Sequence, residues 1–194
     1  MGTDIRMYAE HRNNGRWQFI GEMLENECDT DGNYPYYPSG LYNVRNYSLF
    51  AILAGIRNEL EEPFEPIAPR RGIPPDLSPE LSSWFASFHG YETYASWLTL
   101  EELVSFDWHG KRRKEYATVD TRVAHLFHPE RRFPFREWPR DIVISYSPGS
   151  KKYANAIWTE TYAEAVGPDV MALLDKLSQK YGASNEVRLV FWFH

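Results

Sequence analysis

The sequence predicts an α+β fold: a single domain with a mainly antiparallel sheet, built from an N-terminal hairpin and a central C-terminal strand and packed against helices. Three observations predict it. Residues 4 to 9 alternate, with Ile5, Met7 and Ala9 on one side and Asp4, Arg6 and Tyr8 on the other, and a second short run, Arg16 to Ile20, follows an Asn-Gly pair. Near the end of the chain Val187, Leu189, Phe191 and Phe193 alternate with Arg188, Val190 and Trp192, a strand too apolar on both sides to face solvent. Between them, residues 46–57 read as a buried helix whose ends carry the same pair, Arg45-Asn46 and Arg57-Asn58, and whose Ser48, Ala51 and Gly55 form a stripe of small residues.

Length and composition bound the rest. A chain of 194 residues can bury one substantial core, so one globular domain, 1–194, is expected. An aromatic share of 16% excludes a disordered polymer and supplies flat rings of the kind that fill cores and stack on bases. Cys28 stands alone, which leaves no internal disulfide, and the opening Met-Gly-Thr-Asp-Ile-Arg has no apolar signal core. A cytoplasmic protein is therefore expected, with no membrane partner, since no apolar run is long enough to span a bilayer. The net charge of −6 hides an asymmetry: residues 111 to 140 hold nine Lys or Arg against four Asp or Glu. One basic segment on an acidic chain argues against long nucleic acid, which asks for a broadly basic domain, and allows a small anion in a local positive pocket.

In chain order, the first question is the hairpin register. A two-residue turn at Asn14-Gly15 would pair Ala9 with Ile20 and put Trp17 and Phe19 on the polar side. A three-residue loop, Asn13-Asn14-Gly15, pairs Ala9 with Phe19 and keeps one apolar side, and this register is expected. Residues 22 to 43 read as a long irregular loop; Asp29, Asp31 and Asn33 imitate the start of a calcium loop, but Gly32 is misplaced and no Glu stands at the twelfth position. Six prolines between Glu61 and Pro79 make an extended track that carries Arg70 and Arg71. Ser78 and Pro79 then start a helix through Ala86, and Thr99 with Glu102 forms a capping box for a helix from Leu100 to Phe106.

Residues 108–140 read as a basic, Pro- and aromatic-rich irregular segment, with Pro129, Pro134 and Pro139 at five-residue spacing and a short helix capped by Asp120 before Pro129. Asp141 to Tyr146 reads as a strand. From Tyr153 to Ala165 the spacing of Ala154, Ile157, Trp158, Tyr162 and Ala165 favours a helix, although Trp158, Thr159 and Thr161 favour a strand. Pro168 opens a helix that buries Val170, Met171, Leu173, Leu174 and Leu177, and Gly182 closes it.

No nucleophile elbow, phosphate-cradling glycine loop or Cys-His arrangement is present. His125 and His128 are spaced as ligands, but zinc needs three or four, so neither metal nor cofactor is expected. Binding has the better case. A nucleotide asks for guanidinium forks on its phosphates, an aromatic plane on its base, and an amide or carboxylate on a base edge or ribose. The residues expected to supply these are Arg45, Asn46, Arg57, Asn58, Arg70, Arg71, Trp97, Trp108 and His109.

The opening residues 1–6, the stretch Arg45 to Asn58, Pro69-Arg70-Arg71-Gly72-Ile73-Pro74, Ser96-Trp97-Leu98-Thr99-Leu100-Glu101-Glu102-Leu103 and the ending Val187 to Phe193 together resemble a family of uncharacterised phage and prophage proteins. The likeness spans nearly the whole chain, with residues 109 to 155 poorly covered. Members of that family open Met-Gly-Cys-Asp-Ile-His; here Thr3 and Arg6 stand in place of the Cys and His, so no thiol or metal role carries over. The resemblance implies a phage setting inside a bacterial host, where small orphan proteins often counter defence systems by removing a nucleotide second messenger. The leading expectation is an anti-defence protein that sequesters a small anionic nucleotide signal, of the cyclic dinucleotide or cyclic ADP-ribose type, without altering it. The alternatives are an enzyme that cleaves such a signal, phosphoesterase-like, and a protein-interaction module that blocks a host factor; assembly into a homo-oligomer is left open.

Overall fold

The computed structural model of the chain describes residues 4–59, 61–88, 94–142 and 152–193. The chain, read from its length as one domain, divides into two compact units. The first comprises Met1–Glu59, Pro63–Phe106 and Asp169–His194, and the second comprises Leu60–Glu62 and Asp107–Pro168.

The first unit is α+β, as its patterns require. Its sheet has four antiparallel strands in the order β2 (Arg16–Ile20), β1 (Ile5–Asn13), β8 (Val187–Phe193) and β5 (Ser96–Thr99). All seven side chains of β8 are buried, so it is the central strand that its apolar faces demand. One sheet face carries Met7, Ala9, Leu189 and Phe191. The helix α1 (Tyr47–Ala54) packs here through Phe50, whose ring lies 4.6 Å from that of Phe193, and α5 (Pro168–Tyr181) through Tyr181, stacked on His11 at 5.9 Å. The opposite face carries Tyr8, Val190 and Trp192 and is covered by α2 (Pro79–Ala86) through Leu81, Trp84 and Phe85. Burial on this second face holds the Tyr8 phenol un-ionised, its pKa pushed up to about 12, while the Trp84 indole N–H donates to it at 2.8 Å.

That second covered face explains why the expected hairpin register is wrong. Ala9 pairs with Ile20 and Asn13 with Arg16, joined by a two-residue turn in which Asn14 and Gly15 both take positive φ, 50° and 77°. Trp17 and Phe19 do fall on the side of Tyr8, Glu10 and Arg12, but this side is interior. The three-residue loop rested on a solvent-facing polar side that the fold does not have.

Glu10 is the reason a polar pattern can be buried. Its carboxylate is 0% exposed; it accepts from Arg188 Nε at 2.7 Å and from the Ser78 backbone N–H at 2.7 Å, at the start of α2. Arg188, 2% exposed, also donates to the Asp76 carboxylate at 2.8 Å and lies over the Trp17 ring at 4.0 Å and the Trp97 ring at 5.7 Å.

Local starts and stops otherwise follow the sequence. Asn46 caps α1 by accepting from Leu49 N at 3.0 Å, and Gly55 ends it in the left-handed conformation, so the helix is shorter than 46–57 and Arg57 lies beyond it. The Thr99–Glu102 capping box opens α3 (Leu100–Ser105). Part of the loop over 22–43 is ordered as a small hairpin of β3 (Met23–Glu25) and β4 (Tyr36–Pro38).

The second unit departs from expectation. Residues within the supposedly irregular 108–140 segment form β6 (Arg112–Asp120), which pairs antiparallel with β7 (Tyr153–Thr161) over nine residues. The helix expected from Tyr153 to Ala165 is therefore a strand followed by α4 (Tyr162–Val166), opened by a second capping box, Thr161 with Glu164. The β-branched and aromatic residues outweighed a helical spacing that strand pairing rendered irrelevant. Asp120 caps no helix; its carboxylate accepts from the Arg122 backbone N–H at 2.9 Å and pairs with the Arg122 guanidinium at 2.8 Å, and Ala124–Leu126 is a short 3-10 turn. Of the strand expected over Asp141 to Tyr146, residues 143–146 lie outside the described residues, and Asp141 and Ile142 are not in a strand.

Glu10→Gln leaves the Arg188 charge buried with Asp76 as its remaining carboxylate partner, and is expected to cost about 3 kcal/mol in chemical denaturation. Replacing both partners, Glu10→Leu with Arg188→Met, should recover most of that loss. Equal losses in the single and double variants would show that Glu10 and Arg188 are not energetically coupled.

Candidate functional site

The nine residues singled out from sequence do not form one constellation. Arg45 pairs with Asp4 at 2.9 Å on the surface, and Asn46 is committed to capping α1. Asn58 pins Phe64, donating to its carbonyl at 2.7 Å and accepting from its N–H at 2.8 Å, while Arg57 holds a left-handed turn with φ 57°. Arg70 lies over the Tyr94 ring at 5.1 Å. Arg71 and Trp97 do meet, the guanidinium 4.7 Å from the ring centroid, but Arg71 also forks onto Glu102, with Nη1 at 2.9 Å. That fork holds the Glu102 carboxyl down at about 2. Trp108 is buried in the second unit, its carbonyl accepting from Ala163 N, and His109 stands exposed beside it. Most of these groups have structural partners, and Trp108 and His109 belong to a different unit from the other seven.

One cavity among the described residues lies within the second unit. It is a cleft of about 200 Å³ lined by Arg132, Phe133, Phe135, Trp158, Glu160 and Glu164. Strand β7 supplies its floor through Trp158 and Glu160. Register places Arg113 opposite Glu160 and Glu115 opposite Trp158, so one face of the ribbon carries two carboxylates, a guanidinium and an indole as a four-residue patch. The 129–142 segment supplies the wall, and it is fastened to β7 by Thr159, whose N–H donates to Arg131 O at 2.7 Å. Phe127 and Phe133 pack on Trp158 with ring centroids 5.5 and 5.4 Å away, and Phe135 lies 4.5 Å from Phe133. Phe135 itself is 77% exposed.

The charges of the cleft are arranged unequally. Glu164 is engaged twice, by Arg132 Nη1 at 3.1 Å and by the cap of α4. Arg113 pairs with Glu115 at 2.7 Å. Glu160 is left with the least compensation: burial, then the Glu115 carboxylate, push its carboxyl up to about 7, against the opposing pull of Arg113 and of the Trp158 side chain that hydrogen-bonds it. A carboxyl that changes charge near neutrality thus lies in an aromatic cleft with a guanidinium at its rim.

A second concavity of about 410 Å³ on the other ribbon face, lined by Glu61, Tyr116, Thr118, Asn155 and Ile157 among others, has neither cation nor stacked rings. Among the described residues no group of three or more His, Cys, Asp or Glu converges as metal ligands would, and His128 Nδ1 accepts from Glu130 N. No helix among them is long and apolar enough to cross a membrane. No protein-family model, curated protein or solved structure matches the chain.

The sequence pattern shows residues 108–140 as basic and aromatic-rich but irregular, and it gives Glu160 no role. The available signal was Trp158-Thr159-Glu160-Thr161 read as a strand, which puts Trp158 and Glu160 on one face.

The raised Glu160 carboxyl fixes the sign of a pH effect. Its folded-state value, about 7, exceeds the ordinary 4.5, so its protonated form favours the fold: the contribution is complete below pH 4.5 and lost as pH rises through 7. Glu160→Gln, which keeps a neutral side chain of the same shape, should melt a few degrees above the wild type at pH 8, with the gap closing by pH 5. Thermal melts across that range check it, and a gap independent of pH would count against this origin.

Proposed function

We propose that this protein binds a small nucleotide, seating its base in the aromatic cleft of the second unit and its phosphate against Arg132 at the rim, and releases it unchanged. The observation that carries this reading is a large ring left out in water: Phe135, 77% exposed, stands beside Phe133 and Trp158 around a cleft that also presents one guanidinium and one carboxyl. A base placed against Phe135 would cover it and gain about 1 to 3 kcal/mol of stacking. These are the three group types that a nucleotide asks for, supplied by residues other than the nine read from sequence.

The volume narrows the ligand. About 200 Å³ is below the range of roughly 300–1,000 Å³ found for drug-sized ligands, so the cleft accommodates one base and not a whole dinucleotide. A cyclic dinucleotide would leave its second base outside. In the phage setting that the sequence resemblance implies, such binding would sequester an immune signal and so counter defence.

One observation favours a second reading. Glu160, near neutrality and close to the charge of Glu115, has the character of a general acid or base, as cleavage of the same ligand would require. Recovery of the ligand after incubation and heating separates the two, because a binder returns it intact and an enzyme does not.

Titration of tryptophan fluorescence with a panel of mononucleotides and cyclic nucleotides tests the proposal. Binding should be saturable, and Phe135→Ala and Arg132→Ala should each weaken it about tenfold or more, while Arg45→Ala leaves it unchanged. Failure of every nucleotide in the panel to bind the folded wild type would overturn it.

A further inference from the structure

The cleft also carries information about which base it would take. Resting on the nucleotide reading above, we infer that Glu160 is the base-reading group and that the cleft selects a guanine edge over an adenine edge.

The geometry begins with the ribbon. Trp158 and Glu160 are two residues apart on β7, on one face, so the carboxyl stands at the edge of the indole and faces whatever stacks in the cleft. An ionised carboxylate is an acceptor only, with about four lone-pair sites on two oxygens, and the Trp158 side chain takes one of them. The remaining capacity suits an edge that offers two adjacent donors. Guanine presents N1–H and the N2 amino group side by side; adenine presents one amino group next to an acceptor nitrogen, which an ionised carboxylate repels.

The surrounding charges favour the same choice. Glu115 on β6 and Glu164 on α4 repel charge on Glu160, Arg113 on β6 offsets part of that repulsion, and Arg132 on the 129–142 segment is turned to Glu164. A donor-rich edge relieves this repulsion and stabilises the ionised form. Adenine would instead need the protonated carboxyl, donating to N1 and accepting from N6. Guanine binding therefore releases a proton wherever Glu160 is protonated beforehand, and adenine binding takes one up. Phosphate contact with Arg132 is common to both nucleotides and does not discriminate between them.

Cyclic GMP and cyclic AMP are suitable probes, since their phosphodiesters keep one charge through the neutral range. Calorimetry on the full chain is expected to show cyclic GMP bound about tenfold or more tighter than cyclic AMP at pH 8. Affinity for cyclic GMP should fall about tenfold between pH 8 and pH 6, the signature of one proton released. Glu160→Gln, whose amide donates and accepts as the protonated carboxyl does, should abolish that pH dependence and the preference, raising cyclic AMP affinity about tenfold at pH 8 and leaving it within a few-fold of the wild type at pH 6. That retained affinity for cyclic AMP also reports that the variant is folded. Equal binding of the two nucleotides, or a preference unmoved by pH and by Glu160→Gln, overturns the inference while leaving nucleotide binding intact. If neither binds, the nucleotide reading itself fails and this inference falls with it.

Discussion

The first unit is organised around one guanidinium. Arg188 sits in the central strand β8, where a solvated residue is impossible, and it is tolerated because Glu10 on the neighbouring strand and Asp76 on the covering segment supply opposite charge at 2.7 and 2.8 Å. The same Glu10 carboxylate accepts from Ser78 N, so the start of α2 is fixed to the sheet by the group that neutralises Arg188. Trp17 lies 4.0 Å from the guanidinium and donates to Asp76 at 3.0 Å; the Trp97 ring lies 5.7 Å from it, followed by Arg71 and by Glu102 of the α3 capping box. A strand pair, a helix start and a helix cap thus share one alternating stack of cations and rings. Such an arrangement gives little net stability over apolar packing, but it specifies register, because a one-residue slip of β1 would remove Glu10 from Arg188.

The second unit meets a different constraint. Two strands alone do not bury enough to be stable, so the ribbon of β6 and β7 must be covered on at least one face. Val119, Ala156 and Val123 form that core with Ile142, and Phe127 and Trp138 pack against them, which accounts for the aromatic richness of the Pro-punctuated segment. The prolines at 129, 134 and 139 keep this segment from continuing either a helix or a ladder, so it is held by side chains and by bonds such as Thr159 N to Arg131 O. At its far end the apolar cover gives way to Arg113, Glu115 and Glu160 on the same ribbon face. The raised Glu160 carboxyl is a direct consequence of that boundary, half inside the cover and beside another carboxylate.

The first unit was largely legible in the sequence because its signals are local. The Thr99–Glu102 capping box, Ser78-Pro79, the apolar run over 49–54 and the all-buried C-terminal strand each follow from a few neighbouring residues. The hairpin register was not legible, because it depends on whether the Trp17 side of the sheet is wet, and that is decided by α2 and Asp76, about sixty residues away in sequence. In the second unit the strand character of 112–120 and 153–161 was obscured by charge and by a helix-compatible spacing, and only their mutual pairing decides it. The sequence shows the types of the expected site residues but not the partners that occupy them. Asn46 and Asn58 are the clearest cases: both have the right chemistry for a base edge, and both have their carboxamides committed, Asn46 to Leu49 N and the Tyr42 hydroxyl and Asn58 to the Phe64 backbone.

That contrast gives a physical criterion for separating scaffold from site. Arg188, Asn58 and Glu102 have their bonding directions filled by fixed groups, so each is held in one geometry and offers a ligand little. Around the cleft the balance differs: an aromatic ring remains in water, a carboxyl remains near its midpoint of ionisation, and the guanidinium at the rim is itself largely exposed. Folding has left these groups with hydration or charge that a ligand can still displace. The cleft therefore retains interaction capacity that the Arg188 stack has already used in setting the fold, and recognition in this protein is better sought on the ribbon than at the ends of α1.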